Sequence, residues 1–348
     1  VILLHNVDQQ DYAARVAEKV AEALQKPFVL QDHTLHISTS IGIAICPQDG
    51  DDAETLMKRA DASMYESKRR GMGMYSFYES HLEHESQRRL SLETQLHQAL
   101  ENDAFELVYQ PQHNVVDNSM AGVEALLRWH DKGLGTVSPN HFISVAEEIG
   151  LMDELDWWVM QRACQQIADF GTKGLGNLNI AINVSARHFM QADFVKRTFE
   201  IIEAHRIPPH LLGIEITEET FLGGVEQIQQ VLAALREAGI NITIDDFGTG
   251  YSSLNYLRNF SVDALKLDGC FVKELETSHA CQGIVNASIL LGQNLGLRVV
   301  AEHVENRAQF EFLKQHQCDG MQGYYFSAPL TARQLFEYKR NLMKQAFA

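Results

Sequence analysis

Carboxylates stand at or near the ends of several short apolar runs. VEALLRW carries Glu124 and Arg128, LGIEIT carries Glu215, NITIDDFG carries Asp245 and Asp246, and LRVVAEHVE carries Glu302 and Glu305. Around them LNIAINVS holds Asn183 and Ser185, ALKLDG holds Lys266 and Asp268, and GMQGYYF holds Gln322. Taken singly, each has a plain structural reading: an acid solvated at a strand end, a lysine between Leu265 and Leu267 that snorkels outward, a turn at Gln322-Gly323 or Gly248-Gly250. Taken jointly they do not. Isolated buried carboxylates are costly unless paired or bound to metal, and Glu124, Glu215, Asp245, Asp246 and Glu302 on one rim call for cations. Oxygen ligands of this kind suit magnesium, manganese or calcium, and no Cys/His set suggests a softer ion. Two such ions about 3.5–4 Å apart would stabilise the attacking and leaving oxygens of a phosphodiester hydrolysis.

Those residues share a rim only if the runs are strands of one barrel. Eight runs qualify: Leu107–Val115, Val123–Trp129, Leu178–Val184, Leu212–Thr217, Ile242–Asp246, Ala264–Asp268, Leu297–Glu302 and Gly320–Ser327. From the second onward, helix-length stretches separate them, including Met152–Phe170, Val225–Ala238 and Cys281–Leu295. That alternation predicts an α/β protein, a parallel (β/α)8 barrel with its site at the strand ends that lead into helices. Only a handful of residues separates the first two runs, too few for a parallel crossover, so that pair is expected to be antiparallel and the barrel modified. Upstream, a polar stretch with leucines at Leu82, Leu90, Leu92, Leu96 and Leu100 predicts an amphipathic linker helix over 79–100. Residues 1–78 read as a smaller α+β piece: a strand at Val1–Leu4, a helix at Asp11–Leu24, a hairpin of Pro27–Leu30 with Leu35–Cys46, and a helix at Ala53–Arg70.

The chain has 348 residues, with 29 Lys plus Arg against 46 Asp plus Glu and a net charge of −17. Ordinary hydrophobic content, 45%, excludes disorder as the main state. The negative charge, most of it after residue 78, disfavours a nucleic-acid polymer or an anionic membrane as partner. No apolar run approaches the roughly 20 residues that span a bilayer. Five cysteines without a C-x-x-C pair predict neither a disulfide framework nor a zinc knuckle, which fits a reducing cytoplasm. Opening on Val1, the chain reads as the interior of a longer protein, with sensory input expected upstream.

Together these motifs resemble the EAL domain of bacterial cyclic-di-GMP phosphodiesterases over residues 91–340. The name motif is Glu124-Ala125-Leu126; YQP begins at Tyr109, FISVAEEIG at Phe142, NVS at Asn183, EITEE at Glu215, DDFGTGYSSL at Asp245, KLD at Lys266, AEHVE at Ala301 and QGYYFSAPL at Gln322. The resemblance implies a metal-dependent hydrolysis of cyclic-di-GMP to linear pGpG, with two magnesium or manganese ions. Glu124, Asn183, Glu215 and Asp245 look like ligands of a first ion, with Asp245, Asp246 and Glu302 shared with or belonging to a second. Lys266 matches the lysine that orients or deprotonates the attacking water, where a lowered pKa would favour the base role. Gln110, Leu126, Arg128 and Gln322 look like substrate contacts, and Glu218, Asp268 and Glu305 like supports. A homodimer through the barrel is implied too. Degenerate relatives bind the dinucleotide without cleaving it, so a receptor that relays a signal through the linker helix is the alternative. Two departures stand out: His303 where the family has Gly in AEGVE, and Ala328 where it often has a cation. Residues 1–78 resemble the C-terminal part of a GGDEF domain, through STSIGIA at Ser38 and RADASMYESKRRG at Arg59. The signature loop for GTP is not among them, so no cyclase activity is expected of this piece.

Overall fold

The computed structural model describes the whole chain apart from residues 6–9, 26, 27, 31, 32, 36, 38, 71–73, 132, 173–175, 177, 223, 250–256, 258, 259, 347 and 348. Two compact units emerge, Val1–Gln95 and Leu96–Ala348. Among the described residues no helix is long and apolar enough to cross a membrane.

In the first unit a helix, Gln10–Gln25, precedes an antiparallel pair of β1 (Phe28–Leu30) and β2 (His33–Leu35). β3 (Ile41–Ile43) then pairs in parallel with β4 (Tyr75–Phe77), and the helix Ala53–Arg70 makes the crossover that a parallel pair requires. Gly42 permits that packing, since a Cβ there would lie 1.8 Å from the carbonyl oxygen of Ala60. Two expectations change. Val1–Leu4 form no strand: no described segment pairs with them, and without a ladder partner an extended stretch stays exposed. The hairpin closes earlier than expected, on His33–Leu35, and the rest of the run to Cys46 supplies β3, which the helix Ala53–Arg70 draws into its own β-helix-β unit. Pro27 lies outside the described residues.

The helix Ser80–Glu101 covers the expected linker stretch. In the second unit the strands are β5 (Phe105–Asn114), β6 (Met120–Asp131), β7 (Gly135–Val137), β8 (Asn179–Asn183), β9 (Leu212–Thr217), β10 (Asn241–Phe247), β11 (Ala264–Leu267), β12 (Arg298–Ala301) and β13 (Gly320–Gln322). Their order is β5-β13-β12-β11-β10-β9-β8-β6-β7, and β5 pairs back on β6, closing a barrel of eight with β7 added at the edge of β6. β5 runs antiparallel to both of its neighbours, while the other barrel pairings are parallel. The short connection at Val115–Ser119 leaves no other choice for β5 and β6.

Strand period decides what faces what. Val123, Ile180, Ile182, Ile214, Ile216, Ile242, Ile244, Leu265, Leu267 and Val299 are buried in the main core. They belong to the parity that meets the helices, packing with residues such as Met160, Ile167, Leu232, Ile289 and Leu313. The opposite parity, which faces the barrel interior, carries Gln110, Glu124, Asn183, Glu215, Asp245, Lys266 and Gln322. The outward apolar half of each strand thus obliges the polar half to converge.

β13 is shorter than the expected Gly320–Ser327. The chain turns at Gly323, whose φ is 158°, and the N–H groups of Phe326 and Ser327 both donate to its carbonyl oxygen at 3.1 and 3.2 Å. A Cβ at Gly323 would lie 2.1 Å from the carbonyl oxygen of Val304. We therefore expect Gly323→Ala to destabilise the barrel by about 3 kcal/mol or more, read as a lower urea midpoint at unchanged slope. An unaltered midpoint would contradict this close approach.

Candidate functional site

Lys266, on β11, is fully buried, and its Nζ lies 2.6 Å from Glu215 Oε2, 2.7 Å from Glu302 Oε1, 3.2 Å from Glu124 Oε2 and 3.4 Å from Asp245 Oδ2. Four carboxylates from four other strands or strand ends thus surround one ammonium. Glu124 is further held by the Asn183 amide, 2.7 Å from Oε1, and by Gln322 Nε2, 2.5 Å from Oε2. Ladder register places these contacts: Gln110 sits opposite Glu124 across β5–β6, and Asn183 sits beside Glu215 across β8–β9. Gln322 Nε2 also reaches Gln110 Oε1 at 3.3 Å.

Adjacent residues on a regular strand face opposite ways, so Asp245 and Asp246 should not share a site. The β10–β11 register shifts between Ile244 and Phe247, and Asp246 has a left-handed φ of 54°, which breaks the alternation. Carboxylate oxygens of Asp245, Asp246 and Glu302 consequently lie within 4.8 Å of one another, as do those of Glu124, Glu215 and Asp245. These are two overlapping acidic clusters that share Asp245.

Burial works against the Lys266 charge, but Asp245, Glu124, Glu215 and Glu302 together hold the ammonium well above the usual lysine range. With the protein's own groups alone the shift is therefore upward, not the lowering that would favour a base. One cation does not balance so many acids. Burial, reinforced by Glu124 and Asp245, raises Glu215 well above the carboxylate range and pushes Glu302 up to about 8. Partial burial, the Asp245 charge and a hydrogen bond with Asp268 push Asp246 up to about 6. Glu124 is held low, because Lys266, Gln322 and Asn183 outweigh its burial. Two overlapping groups of carboxylate oxygens short of positive charge fit hard divalent cations.

The remaining expected residues fall around this centre. Leu126 and Arg128 share the inward parity of β6 with Glu124, and Arg128 Nη1 donates to the Leu127 carbonyl oxygen at 2.8 Å. Gln322 grips Glu124, where the resemblance implied a substrate contact. Glu218 accepts from the Gly248 N–H at 3.3 Å, while Gly250 to Leu254 of that loop lie outside the described residues. Asp268 caps the helix Gly269–Lys273 through the Cys270 N–H at 2.7 Å. Glu305 has an exposed side chain and donates its backbone N–H to Gln309, in the capping box of the helix Arg307–Gln315. His303 adopts a left-handed φ of 54°, the conformation a glycine takes without strain, and lies 3.9 Å from Glu302. Ala328 is exposed. Motif reasoning passed over Asp156, an acid on the buried face of the helix Met152–Thr172, which accepts from Ser185 and His188 behind β8. Its one signal in the sequence was a charge between Leu155 and Trp157.

Glu302 and Glu215 bind their protons more tightly folded than unfolded. Their contribution to stability is therefore fully present below the ordinary value of 4.5 and is lost as pH rises to about 8 for Glu302. With divalent ions chelated, Tm should fall across that window. Glu302→Gln should flatten part of the slope, and a profile identical to that of the unsubstituted chain would contradict the assignment.

Comparison with known proteins gives this geometry its setting. The family model described as EAL domain matches residues 93–329, and the model described as diguanylate cyclase, GGDEF domain, matches residues 1–74. The signaling protein YkoW of Bacillus subtilis is 41% identical over 323 residues, 93% of this chain and 40% of that protein. MucR of Pseudomonas aeruginosa, named a bifunctional diguanylate cyclase/cyclic di-GMP phosphodiesterase, is 39% identical over 96% of this chain and 49% of that protein. The chain thus spans about half or less of the length of these curated relatives. A solved structure titled PaMucR phosphodiesterase, c-di-GMP complex, is 39% identical with a TM-score of 0.68, covering 70% of this chain and 99% of that one. Matched over more than half its length and folded as a closed eight-stranded barrel with one strand reversed, the chain belongs to the EAL domain family, with part of a GGDEF domain ahead of the barrel.

Proposed function

We propose that the barrel hydrolyses cyclic-di-GMP to linear pGpG with two divalent cations, magnesium or manganese. The observation that carries this reading is the excess of buried carboxylates over cations at the strand ends, in a barrel related to named cyclic-di-GMP phosphodiesterases. Glu124, Asn183, Glu215 and Asp245 would hold one ion, and Asp245, Asp246 and Glu302 the other. Such ions supply Lewis acidity to a phosphoryl oxygen and lower the pKa of water.

The chain's own residues would do the rest. Lys266, with its Nζ amid Glu124, Glu215, Asp245 and Glu302, would orient the attacking water or take its proton. Gln322 and Asn183 each fix one oxygen of Glu124. Arg128 offers a charge-assisted bond to a phosphate oxygen at the mouth, with Leu126 and Gln110 lining the same approach. Glu218 steadies the start of the loop after β10, Asp268 holds Asp246, and the Glu305 backbone N–H is tied to Gln309 just ahead of the helix Arg307–Gln315. An acidic protein would then accept an anionic dinucleotide through its ions, with no basic surface.

A homodimer through the barrel is part of this reading. The helix His279–Leu295 has no Asp, Glu, Lys or Arg, and it exposes Ile284 and Leu290 at 41% and 49%. An uncharged outer face with apolar side chains suits a second copy. Leu290→Arg should shift the sedimentation coefficient toward that of the monomer; a sedimentation profile unchanged from the parent would sink the dimer assignment to this face.

Turnover is the central test. The chain with manganese or magnesium should convert cyclic-di-GMP to pGpG, resolved by anion exchange, and EDTA should abolish the conversion. Glu124→Ala should cost at least about 10²-fold, the scale of a group acting directly at the reacting centre. Binding without conversion, unchanged in Glu124→Ala, would assign a receptor instead.

A further inference from the structure

Behind the rim, the segment after β8 is tied at three successive residues. The Asn183 side chain donates to Glu124 Oε1 at 2.7 Å, and the Val184 N–H donates to the Glu215 carbonyl oxygen at 2.9 Å. Ser185 donates twice to Asp156 Oδ2, from its N–H at 3.0 Å and from its hydroxyl at 2.6 Å. The same oxygen lies 3.1 Å from Nδ1 of His188, whose side chain is fully buried.

Asp156 is 5% exposed, on the inner face of the helix Met152–Thr172. A carboxylate so buried is costly unless its hydrogen bonds are made. Here three donors converge on a single oxygen. Ser185 stands at the N-cap of the short helix Ala186–Phe189, where a serine hydroxyl ordinarily accepts from the helix's own N–H groups. It makes no such bond, and its hydroxyl turns to Asp156 instead. Local helix capping therefore does not account for the contact; fixing the turn does. Edge-to-face packing of Trp157 on His188, with ring centroids 4.3 Å apart, stiffens the anchor.

We propose that Asp156 is a positioning residue for the cation centre: by holding Ser185 it sets the Asn183 amide against Glu124, two residues away along the chain. The inference rests on the cation reading of the acidic clusters. Groups bonded directly to a metal ligand typically change affinity by about 10- to 100-fold; Asp156 acts one link further out, through Ser185, so its effect should lie at the lower end, about 10-fold.

The test is manganese affinity of the full chain, measured by the EPR signal of free Mn²⁺ without substrate. Asp156→Ala should weaken binding about 10-fold, and Asp156→Asn, which keeps one acceptor oxygen, should recover part of it. In an Asn183→Ala background, Asp156→Ala should produce no further loss of affinity, although any loss of Tm should persist. That non-additivity separates positioning from general destabilisation. Equal losses in both backgrounds, or no loss in a folded Asp156→Ala protein, would overturn the proposal. Should Asp156→Ala not fold, Ser185→Ala removes only the hydroxyl and should show the same pattern; unchanged affinity there would also overturn it. An unsubstituted chain that takes up no manganese fails the cation reading and this inference together, whereas one that binds manganese but is indifferent to Asp156 and Ser185 fails this inference alone.

Discussion

Lys266 inside its ring of four carboxylates is the interaction on which the rest of the barrel turns. An ammonium with no exposed surface survives because Glu215, Glu302, Glu124 and Asp245 reach it from separate strands or strand ends. Those acids are tolerated only in part, since one positive charge cannot neutralise them all. The residue of that imbalance is visible in Glu215 and Glu302, which hold protons far above the ordinary range. Stability and chemistry draw on the same charges. An arrangement balanced by lysine alone would be a finished structural core; this one is left short of cations.

Two backbone irregularities make the ring reach further than a regular barrel could. At Asp246 the left-handed residue and the register shift beside it bring a second acid to the side of Asp245. At Gly323 the close crossing over Val304 ends β13 directly after Gln322, so the amide stops against Glu124 and the chain leaves the barrel interior. The reversed β5 adds a third device, presenting Gln110 opposite Glu124 through the ladder itself. Each is a small local departure whose effect is measured at one carboxylate.

Much of this was legible in the residues. β-branched and leucine-rich runs of five to nine residues marked the strands because a strand buried on both faces needs them, and the length between the first two runs dictated the reversed pair. The acids were conspicuous because they sat inside otherwise apolar runs. What was not legible depends on contacts across the fold. The direction of the Lys266 shift is a sum over four groups that are distant in the chain. The pairing of Ile41–Ile43 with Tyr75–Phe77 depends on a helix lying over Gly42. Asp156 carried no motif, and its role shows only where Ser185 turns away from its own helix to meet it.

The ring has a further consequence in time. Lys266 meets Glu124 across 142 residues of chain, and Gln322 meets the same carboxylate across 198. Contacts so distant in sequence bear the entropy of closing very long loops before they return anything. Closure of the sheet puts β5 between β13 and β6, and with it Gln322 within reach of Glu124. The charged centre is thus assembled from contacts that no local segment can make alone, so it exists only where the distant parts of the barrel meet.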